Sequence, residues 1–202
     1  VMEQRSEEWF AARLGKVTAS KINDIMASGR SGEAISRRNY RTQIISERLT
    51  GKREEMYVNA AMQHGIDTED EARDAYVFDY ADVEETGLID HPTIPMSGAS
   101  PDGLVGKDGL IEIKCPKTTT HTTTLISQKV PSHYMNQMMW QMACTGRDWC
   151  DFVSYSPFFP DNLKMFVRRV QRDEEHIKQL EDEVTKFLTE VEDTIKFLQG
   201  VK

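Results

Sequence analysis

Cysteine is scarce: Cys115, Cys144 and Cys150 are odd in number and none stands in the paired CxxC spacing of zinc or iron–sulfur sites. They read as reduced and structural. Long apolar runs are missing too, none approaching the roughly twenty residues that cross a bilayer. No period of roughly twenty to fifty residues repeats, and no charged, then apolar, then small-residue leader opens the chain. These absences point to a soluble, cytoplasmic protein. Its 202 residues fit one domain, long enough to bury a full core.

Positive charge is also short. Lys and Arg number 25 against 33 Asp and Glu, a net −8, which argues against a protein that follows nucleic-acid phosphates. The distribution changes that reading. From Asp173 to Asp193 nine acids face only Lys178 and Lys186, so that segment carries −7 of the total. The remainder is near neutral and holds two basic stretches, Arg37, Arg38 and Arg41, then Arg48, Lys52 and Arg53. They suit either a phosphate backbone or ordinary solvated helix faces.

The period of the apolar residues divides the chain. Residues 1–80 read as helical, with Ser6 capping a helix over Glu7 to Leu14 and Thr18 or Ser20 capping another through Met26. Gly29 to Gly32 reads as a flexible link. Arg37 to Leu49 forms a helix that Gly51 stops, and a further helix covers Asn59 to Tyr80, weakened at Gly65 and Asp67. Residues 81–171 read as a sheet core, with strands at Val83 to Asp90, Gly103 to Val105, Leu110 to Lys114, Cys150 to Tyr155 and Lys164 to Gln171. A helix over Ser132 to Thr145 interrupts them. Residues 173–198 form a last helix whose apolar stripe suits docking on the sheet or a coiled coil. The fold class is α/β (α+β), a central mixed sheet flanked by helices.

Most informative is Ser100-Pro101-Asp102-Gly103-Leu104-Val105-Gly106-Lys107-Asp108-Gly109-Leu110-Ile111-Glu112-Ile113-Lys114. Gly106 and Gly109 bracket a tight turn, so the flanking strands pair as a hairpin. Alternation then sends Ile111 and Ile113 to the core and Glu112 with Lys114 to the other face, with Asp102 alongside. Two carboxylates held close repel unless a cation joins them. Asp102, Glu112, the main-chain carbonyl of Ile113 and waters suit Mg²⁺. Lys114 could orient the attacking water, lower its pKa or stabilise the pentavalent phosphate. The bland alternative is a surface strand whose Glu112 and Lys114 form an ion pair of at most about 1 kcal/mol.

The Pro101-Asp102, Glu112-x-Lys114 arrangement resembles the signature of the PD-(D/E)xK nuclease superfamily. With Arg13-Leu14-Gly15-Lys16-Val17-Thr18-Ala19-Ser20, Gly65-x-x-x-Glu69, Glu112-Ile113-Lys114-Cys115-Pro116 and Tyr134-x-x-Gln137, the chain looks like the YqaJ-like viral recombinase exonucleases, typified by phage lambda exonuclease. The resemblance implies a restriction-endonuclease-like core and a Mg²⁺-dependent exonuclease, with Mn²⁺ able to substitute and two ions per site. Such an enzyme digests linear double-stranded DNA 5′→3′, processively, as a ring-shaped homotrimer. It leaves 3′ single strands for a single-strand annealing protein in recombination. The resemblance also assigns Arg13, Ser20, Ser100 and Gln137 to the DNA 5′-phosphate, Glu69 to the metal or to orienting Lys114, and Met62 to an apolar wedge between the strands. Where relatives carry a second Gln this chain has Met139, and Gln141 stands nearby.

Further alternatives stay open at this stage. Arg13 could pair with Glu7 or Glu8, Ser20 could serve only as a cap, and Glu69 could belong to an exposed acidic helix. The run Thr118 to Thr124 suits a DNA-contacting segment or a mobile loop. The five histidines show no ligand spacing. Competing functions are an endonuclease or repair nuclease of the same superfamily, and a non-catalytic DNA-end-binding scaffold. The absence of the needed cysteine set disfavours the relatives that carry an iron–sulfur cluster.

Overall fold

The computed structural model of the chain describes residues 3–30, 32–53 and 60–201, with only the backbone at 61 and 62. The wedge reading of Met62 therefore lies outside the described side chains. In chain order come α1 (Glu7–Arg13), β1 (Val17–Thr18), α2 (Ile22–Met26), β2 (Ser28–Gly29), β3 (Gly32–Glu33), α3 (Ile35–Thr50), α4 (Ala60–Asp79), β4 (Val83–Glu84), β5 (Ile89–Asp90) and β6 (Ser97–Ala99). Then follow β7 (Gly103–Val105), β8 (Gly109–Lys114), α5 (Thr118–Ser127), α6 (Met135–Thr145), β9 (Trp149–Tyr155), β10 (Met165–Gln171) and α7 (Glu174–Gly200). Ser6 caps α1 by accepting the Trp9 N–H, and Asp173 caps α7 by accepting from Glu175 and His176. Gly51, at φ 65°, ends α3 in the left-handed conformation that glycine adopts without steric cost.

Five strands form a mixed sheet in the order β10-β9-β8-β7-β4, and a smaller sheet runs β1-β6-β5. The β7–β8 hairpin pairs Gly103 with Ile111 as expected, whereas β8 and β9 are parallel, joined through α5 and α6. Gly103 is obligatory here: a Cβ would stand 2.1 Å from a Val83 methyl carbon. The sheet is covered on both faces. Ile111, Ile113, Val153 and Tyr155 meet Ala72 and Tyr76 of α4 on one side, while Leu110 and Phe152 join Met138, Trp140 and Met142 of α6 and the stripe of α7 on the other. Ile177, Leu180, Val184, Phe187, Leu188 and Val191 are buried in that second core, so α7 docks within the chain.

The structure corrects several expectations. The strand expected over Val83 to Asp90 divides between the two sheets as β4 and β5, because β4 pairs with β7 and β5 with β6. The strands β1 and β6 were not foreseen, being too short to show alternation. Gly29 and Gly32 are partners in the β2–β3 hairpin rather than a free link. Thr18 precedes a 3-10 turn over Ala19–Lys21 but makes no side-chain cap. The threonine run is helix α5, where Thr122, Thr123 and Thr124 donate to the carbonyls of Thr118, Thr119 and Thr120. These hydroxyls are spent on their own helix, and His121 among them is buried between Ser154 Oγ and the Leu163 carbonyl at 2.8 Å each.

The basic stretches are also largely spent. Arg37 pairs with Glu33 at 2.7 Å and with Glu190 in a fork of 2.7 and 3.0 Å, Arg41 joins the same two acids, and Arg48 meets Glu192. Arginine forks of this kind hold Glu190 below its ordinary pKa, the Arg37 hydrogen bond being the largest cause. The acidic helix α7 thus neutralises α3, which removes Arg37, Arg41 and Arg48 from the phosphate-following role. Phe187 lies at the centre of this contact, fully buried and stacked on Tyr40 at 5.5 Å. Phe187→Ala should cost about 3–5 kcal/mol, measurable as a lower denaturation midpoint at unchanged slope in urea.

Candidate active site

Alternation along β8 puts Glu112 beneath α6, where it is 1% exposed. A buried carboxylate must be paired and hydrogen-bonded, and Glu112 is. Its Oε1 accepts from Gln137 Nε2 and its Oε2 from Gln141 Nε2, at 2.6 Å each, and Lys114 Nζ forms an ion pair with Oε1. The surface-strand alternative is thereby excluded. Lys114 also lies 5.1 Å from the Tyr134 ring centre. Burial alone would lower its pKa, but the Glu112 and Asp102 carboxylates outweigh that and hold the ammonium above the usual lysine range.

Asp102 precedes β7 and turns back on β8, its Oδ2 accepting the Ile113 N–H at 2.6 Å. Burial, then the charges of Glu112 and Glu69, raise its pKa well above the carboxylate range, against the opposing pull of Lys114. The site therefore carries more negative charge than it can comfortably hold, and its donors are hard oxygens. Asp102 and Glu112 fit a divalent cation on both counts. Among the described residues no group of three or more His, Cys, Asp or Glu side chains is arranged to hold a metal, so the protein's own donors would be these two carboxylates and main chain.

Glu69, on α4, is held by two guanidiniums: Arg73 on Oε1 at 3.0 Å and Arg5 on Oε2. The expected link from Glu69 to Lys114 is not made, since Lys114 pairs with Glu112. Tyr76 of α4 donates to Asp151 at 2.7 Å and Arg169 grips the same carboxylate at 2.8 and 2.9 Å, which fixes α4 to the sheet.

Arg13 makes no pair with Glu7 or Glu8. Its guanidinium donates to Ser100 Oγ at 3.0 Å and lies 4.1 Å above the Trp9 ring, whose Nε1 also donates to Ser100 at 3.0 Å. Burial lowers its pKa to about 10, Tyr40 opposing and Arg53 adding to the fall. It faces a cavity of about 380 Å³ that Trp9, Phe10, Lys16, Ser20, Lys21 and Arg53 also line. The acid there, Glu47, is taken by the Gly15 N–H and the Gln43 amide. Of the four residues expected at a phosphate, Arg13 bonds Ser100 and lines the cavity with Ser20, while Gln137, on α6, donates to Glu112.

The sequence pattern of the YqaJ-like viral recombinase domain matches residues 8–148, a span that contains every predicted site residue. The chain belongs to this family. Among solved structures, the alkaline exonuclease LHK-Exo from Laribacter hongkongensis is 52% identical, with a TM-score of 0.90 over 96% of each chain, and the same enzyme in complex with dAMP gives the same figures. A phage related exonuclease from Haemophilus somnus 129PT, 18% identical over 91% of this chain and 96% of its own, shares the fold at a TM-score of 0.72. The uncharacterized protein R354 of Acanthamoeba polyphaga mimivirus is 26% identical over 180 residues, 82% of this chain, and the chain spans 31% of its length. The family resemblance read from the motifs and the mixed α/β fold both stand.

The sequence did not single out Trp9, Arg73 or Arg5. Two had a signal: Trp9 stands four residues before Arg13 and Arg73 four after Glu69, the spacing of neighbours on one helix face. Arg5, before the Ser6 cap, had none, whereas Arg53 belongs to a basic stretch that suits a phosphate backbone. Gln141, which stands near the place of the second family Gln, is fully buried on Glu112. Gln141→Leu keeps volume and removes the donor, leaving Glu112 Oε2 unpartnered. It should cost about 1–3 kcal/mol, checked by urea unfolding, with Gln141→Glu costing more because it sets like charges together.

Proposed function

We propose that the chain is a Mg²⁺-dependent exonuclease that digests linear double-stranded DNA from its 5′ ends. The observation that carries this reading is the buried Glu112–Lys114 pair beside Asp102, linked to a cationic cavity through the Arg13–Ser100 bond, in a member of the viral recombinase family. Exonuclease activity has further support from the alkaline exonuclease at 52% identity. The dAMP complex of that enzyme agrees in chemistry with a cavity suited to a nucleotide.

Asp102 and Glu112 would hold the cation together with the Ile113 carbonyl, and Glu69 would stand close to it. Mg²⁺ suits the donors, Mn²⁺ can replace it, and two ions per site are the proposed complement. A bound divalent cation supplies Lewis acidity at a phosphoryl oxygen. Lys114, fixed by Glu112 and charged, stands ready to donate to the attacking water or to a non-bridging phosphate oxygen as negative charge develops. The water oxygen bonds to phosphorus, the P–O3′ bond breaks, and the 3′ oxygen of the departing nucleotide takes a proton.

Every such cut leaves a new 5′ phosphate on the shortened strand. Arg13, with Ser100, Ser20 and the adjoining cations, would receive it, and Gln137, which spends one amide N–H on Glu112, would offer the second. Regeneration of the ligand after each step is the physical basis for processive digestion. A ring-shaped homotrimer belongs to the same proposal, because a near-neutral body retains DNA by encirclement rather than by charge. The 3′ single strand would pass to a single-strand annealing protein, within the cytoplasm of a bacterial host.

Arg13→Ala should slow digestion of 5′-phosphorylated linear duplex far more than that of 5′-hydroxyl duplex. Equal slowing would remove Arg13 from the phosphate. Lys114→Ala should reduce Mg²⁺-dependent cleavage by roughly 10²–10³-fold, with circular dichroism confirming the fold. Light scattering at micromolar concentration should give three times the 23.2 kDa chain mass, and a monomer would contradict the ring.

A further inference from the structure

Residues 3–6 form a strap over the site. Gln4 Nε2 donates to the Pro101 carbonyl at 2.8 Å and to the Thr86 carbonyl at 2.9 Å, which pins the strap beside Asp102. On the other side Ser6 closes it, its N–H and hydroxyl both donating to the Glu3 carbonyl at 3.3 and 2.7 Å while its Oγ caps α1. Between these anchors Arg5 adopts φ 68°, a left-handed conformation that is sterically costly for a non-glycine residue. Strain of this kind persists where the surroundings fix it, and it clusters at functional sites.

The strain aims a guanidinium. Arg5 lines the cationic cavity together with Arg13 and Arg53, and it also bonds Glu69 at the acidic cluster, so it spans the two halves of the site. Its bond to Glu69 is replaceable. Arg73, 12% exposed, holds the other Glu69 oxygen, whereas the Arg5 side chain is 41% exposed. Arg5 also lies outside the matched family span of residues 8–148.

We propose that Arg5 is a substrate-binding residue that rests on Glu69 in the free protein and transfers to the phosphate next to the 5′ end when DNA enters. A guanidinium fork accepts either partner, since carboxylate and phosphate present the same pair of oxygens. The exchange returns one Glu69 oxygen to the cluster as the strand arrives, so substrate entry and readiness of the acids for a cation are linked. The proposal rests on the DNA-end reading above and goes beyond it in naming the residue that joins the two halves.

The test is binding of a 5′-phosphorylated, fluorescent linear duplex to the full chain, with Ca²⁺ replacing Mg²⁺ to prevent turnover, over a salt series. Arg5→Gly should bind about tenfold more weakly, and its plot of log affinity against log salt should be shallower by about 0.9, the loss of one phosphate contact. Its thermal midpoint should not fall, because glycine accepts φ 68° freely. Arg5→Lys, which keeps the charge, should retain the wild-type salt slope. A residue serving only to position Glu69 or the strap would leave that slope unchanged, and an Arg5→Gly variant with wild-type slope and affinity would overturn the proposal. Failure of the wild-type chain to bind the duplex would instead overturn the DNA-end reading, and this proposal with it.

Discussion

The constraint on which the site depends is a negative charge placed where water cannot reach it. Glu112 sits in the middle of the five-stranded sheet under α6, and burial of an unpaired carboxylate there would cost several kcal/mol. Lys114, Gln137 and Gln141 meet that demand together. Strand β8 must therefore be central, α6 must cross it with two glutamines facing down, and the β7–β8 hairpin must bring Asp102 back to the Ile113 N–H. With one acid fully neutralised by protein groups and another raised in pKa by its neighbours, the cluster is complete as a scaffold and still short of positive charge. That shortfall is what a catalytic cation would fill.

Charge elsewhere is distributed in a way that serves the same end. The acidic helix α7 consumes Arg37, Arg41 and Arg48, so half of the cations in the two basic runs become structural. Arg13 and Arg53 escape this pairing, held instead over the rings of Trp9 and Phe10 at 4.1 and 3.9 Å. Aromatic faces orient a guanidinium without satisfying its charge, and leave its donors available to an anion. A protein with net charge −8 thus concentrates usable cations in one cavity next to the acids.

Much of this was legible in the sequence where the physics is local. The hairpin followed from Gly106 and Gly109, the alternation of β8 from its own residues, the α1 cap from Ser6, and the apolar stripe of α7 from its spacing. What escaped was set by distant partners. The short strands β1 and β6 exist only because they pair with each other and, for β6, with β5, and threonine hydroxyls that look free on paper bond back to their own helix in α5. Arg5 lies just outside a recognisable helix and gains meaning only when the chain folds over the site. The same limit applied to the bond from Gln137 to the buried Glu112, which nothing in its motif announces.

The most direct test of the central claim is digestion by the wild-type chain of a linear duplex carrying distinguishable labels on its 5′- and 3′-ended strands, with and without Mg²⁺, beside a closed circle. The account predicts stepwise release from the 5′-ended strand, only with Mg²⁺, while the 3′-ended strand and the circle stay intact. Cleavage of the circle, or release from the 3′ end first, would contradict it.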